Sequence, residues 1–221
     1  MALTQPTRGR AFIYCSLSVS LWLFLCAATP VARTILFLGD SITAGYGVDP
    51  SEAYPAIIQD KIEAKGWPFK VINAGVSGDT SAGGLSRLDW LLKNPIDVLV
   101  LELGANDGLR GLPIENMRKN LQAIIDRTRQ RYPQVKIIIA GMKMPPNWGG
   151  DYSRQFEKMF HELAKKNKAT LVPFVLEGVG GERALNQPDA IHPTAEGHKR
   201  VAANVWKALE PVMKSLRAAR S

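Results

Sequence analysis

Short runs rich in apolar and β-branched residues recur at intervals of about thirty positions, at residues 34–38, 70–72, 97–103, 135–140 and 170–175. The run at 97–103 is apolar at successive rather than alternate positions, the pattern of a strand covered on both faces. Between these runs, residues 52–66, 84–94, 114–132, 153–168 and 194–216 carry helical periodicity. In the fourth of these, Phe156, Met159, Phe160 and Leu163 fall on one stripe at helical spacing. Alternation of strand and helix predicts a parallel sheet with helices on both faces and right-handed crossovers. The expected fold class is α/β, a three-layer α/β/α sandwich around a five-stranded parallel sheet of flavodoxin-like type. In such sheets ligands bind beyond the carboxyl ends of the strands. Each predicted strand is followed there by a polar or glycine-rich segment: GDSITAG at 39–45, AGVSGDTSAGG at 74–84, GANDGLRG at 104–111, GMKMPPNWGG at 141–150 and, after a longer excursion, DAIHP at 189–193. All five are expected to meet on one edge.

The first thirty residues break the pattern. Residues 1–10 carry Arg8 and Arg10 and no acid, residues 11–28 are apolar apart from scattered serines, and Cys26, Ala27 and Ala28 are small residues suited to signal-peptidase cleavage. A secretory leader over residues 1–28, reaching to 32 at most, is the expectation, with an uncleaved membrane anchor as the alternative. One domain over residues 33–217 and a basic tail at 218–221 complete the expected organisation, since 221 residues leave little room for a second core. Both cysteines, Cys15 and Cys26, lie in the leader, so no disulfide framework is expected in the exported domain. Removing Arg8 and Arg10 from the formal charge of +8 leaves +6 on the remainder. The bases are interleaved with acids, as in KNLQAIIDRTRQRYPQVK, which points to a solvated face rather than a nucleic-acid surface.

Composition names no chemistry; the segments at the predicted edge do. A serine hydroxyl needs a base, a group that orients the base, and donors for a developing oxyanion before it can attack an acyl carbon. Of the three histidines, His161 and His198 sit in predicted helices and read as partly exposed helical side chains. His192 instead lies on a turn three residues after Asp189, where a carboxylate can fix the imidazole tautomer. Ser41, two residues past the first strand, is either a nucleophile or the cap of the next helix. Asn106 can aim its amide over the sheet edge or simply make a turn, and Gly78 can present a bare N–H or do likewise. Asp40 and Asp107 read as residues that cap or shape their turns. Trp148 and Tyr152 either meet substrate or anchor their loop.

In order along the chain, GDSI, the SGDT glycine, GANDG and DAIHP resemble the four motif blocks of the SGNH or GDSL hydrolases, with Ile42 where the four-letter name has leucine. The resemblance implies Ser41, Asp189 and His192 as the catalytic triad, and the backbone N–H groups of Ser41 and Gly78 with the Asn106 side chain as the oxyanion hole. Longer stretches, LELGANDGLRG, SGDTSAGGLSRL, the Met144-Pro145-Pro146-Asn147 loop and LVPFVLEGV, are similar to a subgroup of bacterial periplasmic thioesterases also described as lysophospholipases and arylesterases. That similarity implies an acyl groove lined by a loop of Leu109, Arg110, Gly111, Leu112 and Pro113, with Pro145, Asn147 and Tyr152 on the opposite wall. It further implies no cofactor and no metal, small-molecule acyl esters or lipids as substrates, and a monomer without stable membrane insertion once the leader is removed.

The rival readings differ in what they require. A sugar O-acetylesterase of the same family shares the residues and differs in acyl length; an inactive secreted binding module would have a broken triad. A metal-dependent phosphoesterase would draw on Asp40, Asp79, Asp107, Asp189 and His192, yet no His-x-x-x-His or Asp-x-His pair occurs. The phosphate-cradling loop ending in lysine and the dinucleotide fingerprint are both absent.

Overall fold

The computed structural model describes residues 1–2, 32–145 and 148–219; the expected leader at 1–28 lies, but for its first two residues, outside them, as do Pro146, Asn147 and the last two residues of the expected tail. Five parallel strands, β1 (Arg33–Gly39), β2 (Phe69–Gly75), β3 (Val98–Glu102), β4 (Lys136–Ala140) and β5 (Thr170–Val172), form one sheet in the order β2-β1-β3-β4-β5. The helices are α1 (Ser41–Ala44), α2 (Tyr54–Ala64), α3 (Ser81–Leu91), α4 (Ala105–Leu109), α5 (Ile114–Arg131), α6 (Gly150–Asn167) and α7 (Ala195–Ala218). Helix α2 packs on α7, while α3, α5 and α6 pack in a row, so the sheet is covered from both sides. Among the described residues no helix is long and apolar enough to cross a membrane.

Burial follows the hydrophobic pattern. Every residue of central β3 is buried, as is β1 from Ile35 onward, whereas the edge strands β2 and β5 are only partly covered. The apolar stripe of α6 lies fully in the core. Two helices extend beyond the pattern. Helix α3 begins inside SGDTSAGG, because Thr80 caps it by accepting from the Gly83 N–H. Its glycines are tolerated in the first turn, and Gly84 must stay bare, since a Cβ there would meet Leu103 Cδ1 at 2.2 Å. The segment after β3, expected as a turn, closes into the short helix α4.

All strands point the same way, so the segments that follow them emerge on one edge. On the other edge, Arg33 at the start of β1 and Ser215, Leu216 and Ala219 at the end of α7 line a common hollow.

Candidate active site

Ser41 stands on the first residue of α1, immediately past β1. Asp40, not Ser41, is the cap of this helix: its Oδ1 accepts from the Ile42 N–H at 3.0 Å. That corrects the reading of Ser41 as a possible cap and leaves its hydroxyl free for another partner. The partner is His192, whose Nε2 lies 3.0 Å from Ser41 Oγ, while Nδ1 lies 2.7 Å from Asp189 Oδ2. With Nδ1–H donating to the carboxylate, Nε2 is left to accept the serine proton. Asp189 also accepts from the His192 and Ile191 backbone N–H groups; with the ring bond, these hold its carboxyl down at about 2, so it stays an anion throughout the neutral range.

The loop carrying His192 is shaped by short-range bonds. An isolated antiparallel bridge joins Asn186 to Pro193, and Gln187 N–H donates to the His192 carbonyl at 2.7 Å. Ala190 adopts the left-handed conformation, φ 60°, to close the turn. The Gln187 side chain then reaches across the site: its Nε2 donates to Tyr46 O at 2.7 Å and to Pro193 O at 3.0 Å. Gly47 makes room for it, because a Cβ there would meet Gln187 Oε1 at 2.2 Å. The Tyr46 ring in turn lies over the His192 ring, with centroids 4.6 Å apart. Neither Tyr46 nor Gln187 is visible in the sequence as a site residue, since both act across 141 or more residues of chain.

The three expected oxyanion donors come from Ser41 itself and from the segments after β2 and β3. The N–H groups of Ser41 and Gly78 have no partner among the described residues. Gly78 takes φ 78°, which favours glycine. Asn106, on the first turn of α4, donates from Nδ2 to Asp79 O at 2.9 Å and, more loosely, to Asp40 Oδ2 at 3.3 Å. Arg110 fastens α4 to the glycine turn by donating to Gly78 O at 2.9 Å.

Beside these groups opens a mostly apolar groove of about 530 Å³, whose wall includes Leu109, Met142, Met144, Pro145, Phe174 and Leu176 as well as Ser41 and His192. Of the residues expected to line it, Leu109 and Pro145 do. Arg110, Gly111, Leu112, Pro113 and Tyr152 are not on its wall, and Asn147 lies outside the described residues. Arg110 is turned toward Gly78, and Tyr152 spends its hydroxyl on the Leu112 carbonyl at 3.0 Å while its ring stacks on buried Phe156. Tyr152 lies in the first turn of α6 and ties that helix to the Leu112 segment. Phe174 and Leu176, from the LVPFVLEGV stretch that runs on from β5, supply wall that was not expected of it.

The remaining titratable groups are accounted for locally. Asp79 pairs with Arg87 at 2.8 Å, and Asp107 is buried while accepting from Ser81 N–H and Oγ at 2.7 and 2.5 Å. Among the described residues no group of three or more His, Cys, Asp or Glu side chains is arranged to hold a metal. His161 is exposed. His198, expected to be partly exposed, is fully buried: Nδ1 accepts from the Tyr54 N–H at 3.3 Å and Nε2 has no partner, so burial pulls its pKa down to about 4.

Comparison with known proteins agrees with this geometry. Residues 37–200 match the GDSL-like Lipase/Acylhydrolase family. The chain is 40% identical over 198 residues to the esterase TesA of Pseudomonas aeruginosa, covering 89% of this chain and 98% of that one. It is 37% identical over 197 residues to thioesterase 1/protease 1/lysophospholipase L1 of Escherichia coli K12, covering 87% and 92%. A crystal structure of TesA superposes with a TM-score of 0.78 at 40% identity, covering 81% of this chain and 99% of that one. The chain therefore belongs to the GDSL-like Lipase/Acylhydrolase family and is a hydrolase of that class.

Proposed function

We propose that this protein hydrolyses carboxylic esters and thioesters through an acyl-enzyme on Ser41. The observation that carries the reading is the unbroken line Asp189 Oδ2, His192 Nδ1, His192 Nε2, Ser41 Oγ, with bonds of 2.7 and 3.0 Å, at the mouth of an apolar groove. His192 takes the Ser41 proton as Oγ attacks the acyl carbon. The tetrahedral oxyanion then draws on the N–H groups of Ser41 and Gly78, and on Asn106 Nδ2, which gives up its longer contact to Asp40. Collapse expels the alcohol or thiol, protonated by His192. A water deprotonated by the same imidazole then releases the carboxylic acid and restores Ser41.

The groove wall of leucine, methionine, proline and phenylalanine accepts an acyl chain and offers little to a sugar. The named relatives, an esterase and a thioesterase/lysophospholipase, point the same way, toward esters, thioesters and lysophospholipids. The leader reading supports export and cleavage ahead of residue 33, and the exported protein then acts as a monomer; a measured mass that still includes residues 1–28 would overturn cleavage.

The test is hydrolysis of p-nitrophenyl esters from acetate to palmitate, with Ser41→Ala as the control. Activity abolished by the substitution, with rates sustained past butyrate, is the expected result. A profile that collapses beyond butyrate would reassign the enzyme to acetyl esters. Activity that survives Ser41→Ala would sink the mechanism.

A further inference from the structure

Glu102, the last residue of β3, is one of the most buried charged side chains among the described residues and has no cation within ion-pair distance among them. It lies directly beneath the turn that carries Ser41, paired in register with Gly39. Its Oε2 accepts from Thr43 Oγ1 at 2.7 Å and from the Asp40 N–H at 3.4 Å, while Oε1 is buried without a conventional donor. The packing at this turn is tight: a Cβ on Gly39 would meet Thr43 Oγ1 at 2.0 Å and Glu102 Oε2 at 2.7 Å. The second buried carboxyl of the turn belongs to Asp40, whose backbone N–H is the one that bonds Glu102, so the two acids are neighbours. Two carboxylates so placed, out of water and with no counter-cation, cannot both be charged; one proton is held between them.

The donors around the pair decide where the charge sits. Asp40 receives the Ile42 N–H on one oxygen and the Asn106 amide on the other, as an anion requires. Glu102 receives a hydroxyl and a long backbone contact on Oε2 only, leaving Oε1 fit to carry a proton. We propose that Glu102 is a positioning residue of the hydrolase: as a neutral carboxylic acid it donates to the Asp40 carboxylate, fixing the Asp40 side chain that caps the Ser41 helix and steadies Asn106. The proposal rests on the reading of Ser41 as nucleophile and Asn106 as oxyanion donor. It also explains why an acid occupies the site. A second negative charge beneath the oxyanion would oppose the charge that develops there, and a shared proton removes it.

Burial pushes both groups up, Asp40 to about 6 and Glu102 well above the ordinary carboxylate range, the direction a shared proton requires. The titratable neighbours facing it are Tyr54 from α2, itself kept neutral by burial, Asp79 held by Arg87, and His192; His198 of α7 lies beyond Tyr54, its ring stacked at 6.4 Å. Raising the pH until Glu102 ionises places a second charge under Ser41 and Asn106, and turnover falls.

The experiment compares wild type with Glu102→Gln and Glu102→Leu. Gln keeps a donor toward Asp40 and an acceptor toward Thr43 in nearly the same shape. It should retain kcat within about threefold at neutral pH and lose the alkaline fall that Glu102 ionisation causes in wild type. Leu should lower kcat by about a hundredfold with KM little changed. Should Leu fail to fold, infrared difference spectra of wild type against Glu102→Gln at pH 7 decide the matter. A protonated-carboxyl carbonyl band present only in wild type supports the neutral acid; its absence overturns it. Glu102→Gln as impaired as Glu102→Leu, or showing an unchanged alkaline fall, also overturns the proposal. Labelling of Ser41 by a fluorophosphonate is followed in the same samples. Failure there would remove the nucleophile reading while the infrared band still reports on the proton.

Discussion

The two halves of the reacting line are supported in opposite ways. Ser41 stands on a buried polar base, in which Asp40, Thr43, Tyr54 and Glu102 are each at most 1% exposed. Asp189 and His192 sit on a surface turn of which Asp189 is exposed, held by backbone bonds and by the side chain of Gln187. The electrostatics divide accordingly. Desolvation drives Asp40 upward, whereas donated hydrogen bonds drive Asp189 downward, so two aspartates flanking one site keep different charge habits. A nucleophile turn must not move, and packing fixes it. A base that serves both attack and water activation can sit on an outer loop, provided a clamp sets its distance.

Six substitutions, one of them followed across pH, break or sharpen that contrast. His192→Ala should have the largest effect, a loss of about 10,000-fold or more in kcat/KM, while His161→Ala leaves kcat/KM unchanged. Steady-state kinetics on a p-nitrophenyl ester decides it, and equal losses in both would remove His192 from its role. Asn106→Ala should cost about a hundredfold to a thousandfold in kcat with the melting temperature little altered, the loss of a single oxyanion donor; normal turnover would confine Asn106 to the turn. Gln187→Ala should lower kcat by about tenfold, because the His192 loop loses its tie to Tyr46 without losing any reacting atom. Burst kinetics should show slower acylation, and an unaffected burst would mean that the loop holds itself.

His198 brings the buried side of the contrast to equilibrium stability. Its folded pKa of about 4 lies below the ordinary 6.5, so the unfolded chain takes up a proton first. The stability that neutral His198 contributes is complete above pH 6.5 and is lost as pH falls from 6.5 toward 4, by at most about 1.4 kcal/mol per pH unit. Denaturant titrations of wild type and His198→Gln should therefore converge as the pH is lowered through that window; a constant gap would contradict the buried neutral imidazole. Ala190→Gly, on the outer loop, should have the smallest effect. Relief of the left-handed alanine is nearly offset by the freedom glycine adds to the unfolded chain, leaving a change below about 1 kcal/mol.

Much of the fold was legible because burial on both faces leaves so plain a mark. Strands β1, β3 and β4 are nearly unbroken apolar runs, and the α6 stripe repeats at helical spacing. The hydrogen-bonded line of Ser41, His192 and Asp189 was legible because each of these residues sits in a compact local motif. What escaped the sequence depends on partners far along the chain. Gln187 looks like a loop glutamine until Tyr46 stands beside it. Glu102 is the last residue of β3, where a charged residue normally signals solvent; its buried partners, Thr43 and the Asp40 N–H, lie 59 and 62 residues away along the chain. His198 reads as a helix-surface residue, yet the start of α7 lies against Tyr54. The groove wall was half legible for a similar reason. Leu109 faces it from α4, while Phe174 and Leu176 arrive from a stretch whose path sequence periodicity does not encode.

The hollow shared by Arg33 and the last turn of α7 has a practical side. The chain enters β1 and leaves α7 at neighbouring points, on the edge of the sheet opposite the groove. A short linker across that hollow would join the two ends, permitting a circularly permuted enzyme cut open at an exposed turn such as Gly66, where an added side chain would meet nothing. The same geometry suits attachment to a solid support: a tether at either end turns the groove outward, toward the solution that carries the substrate.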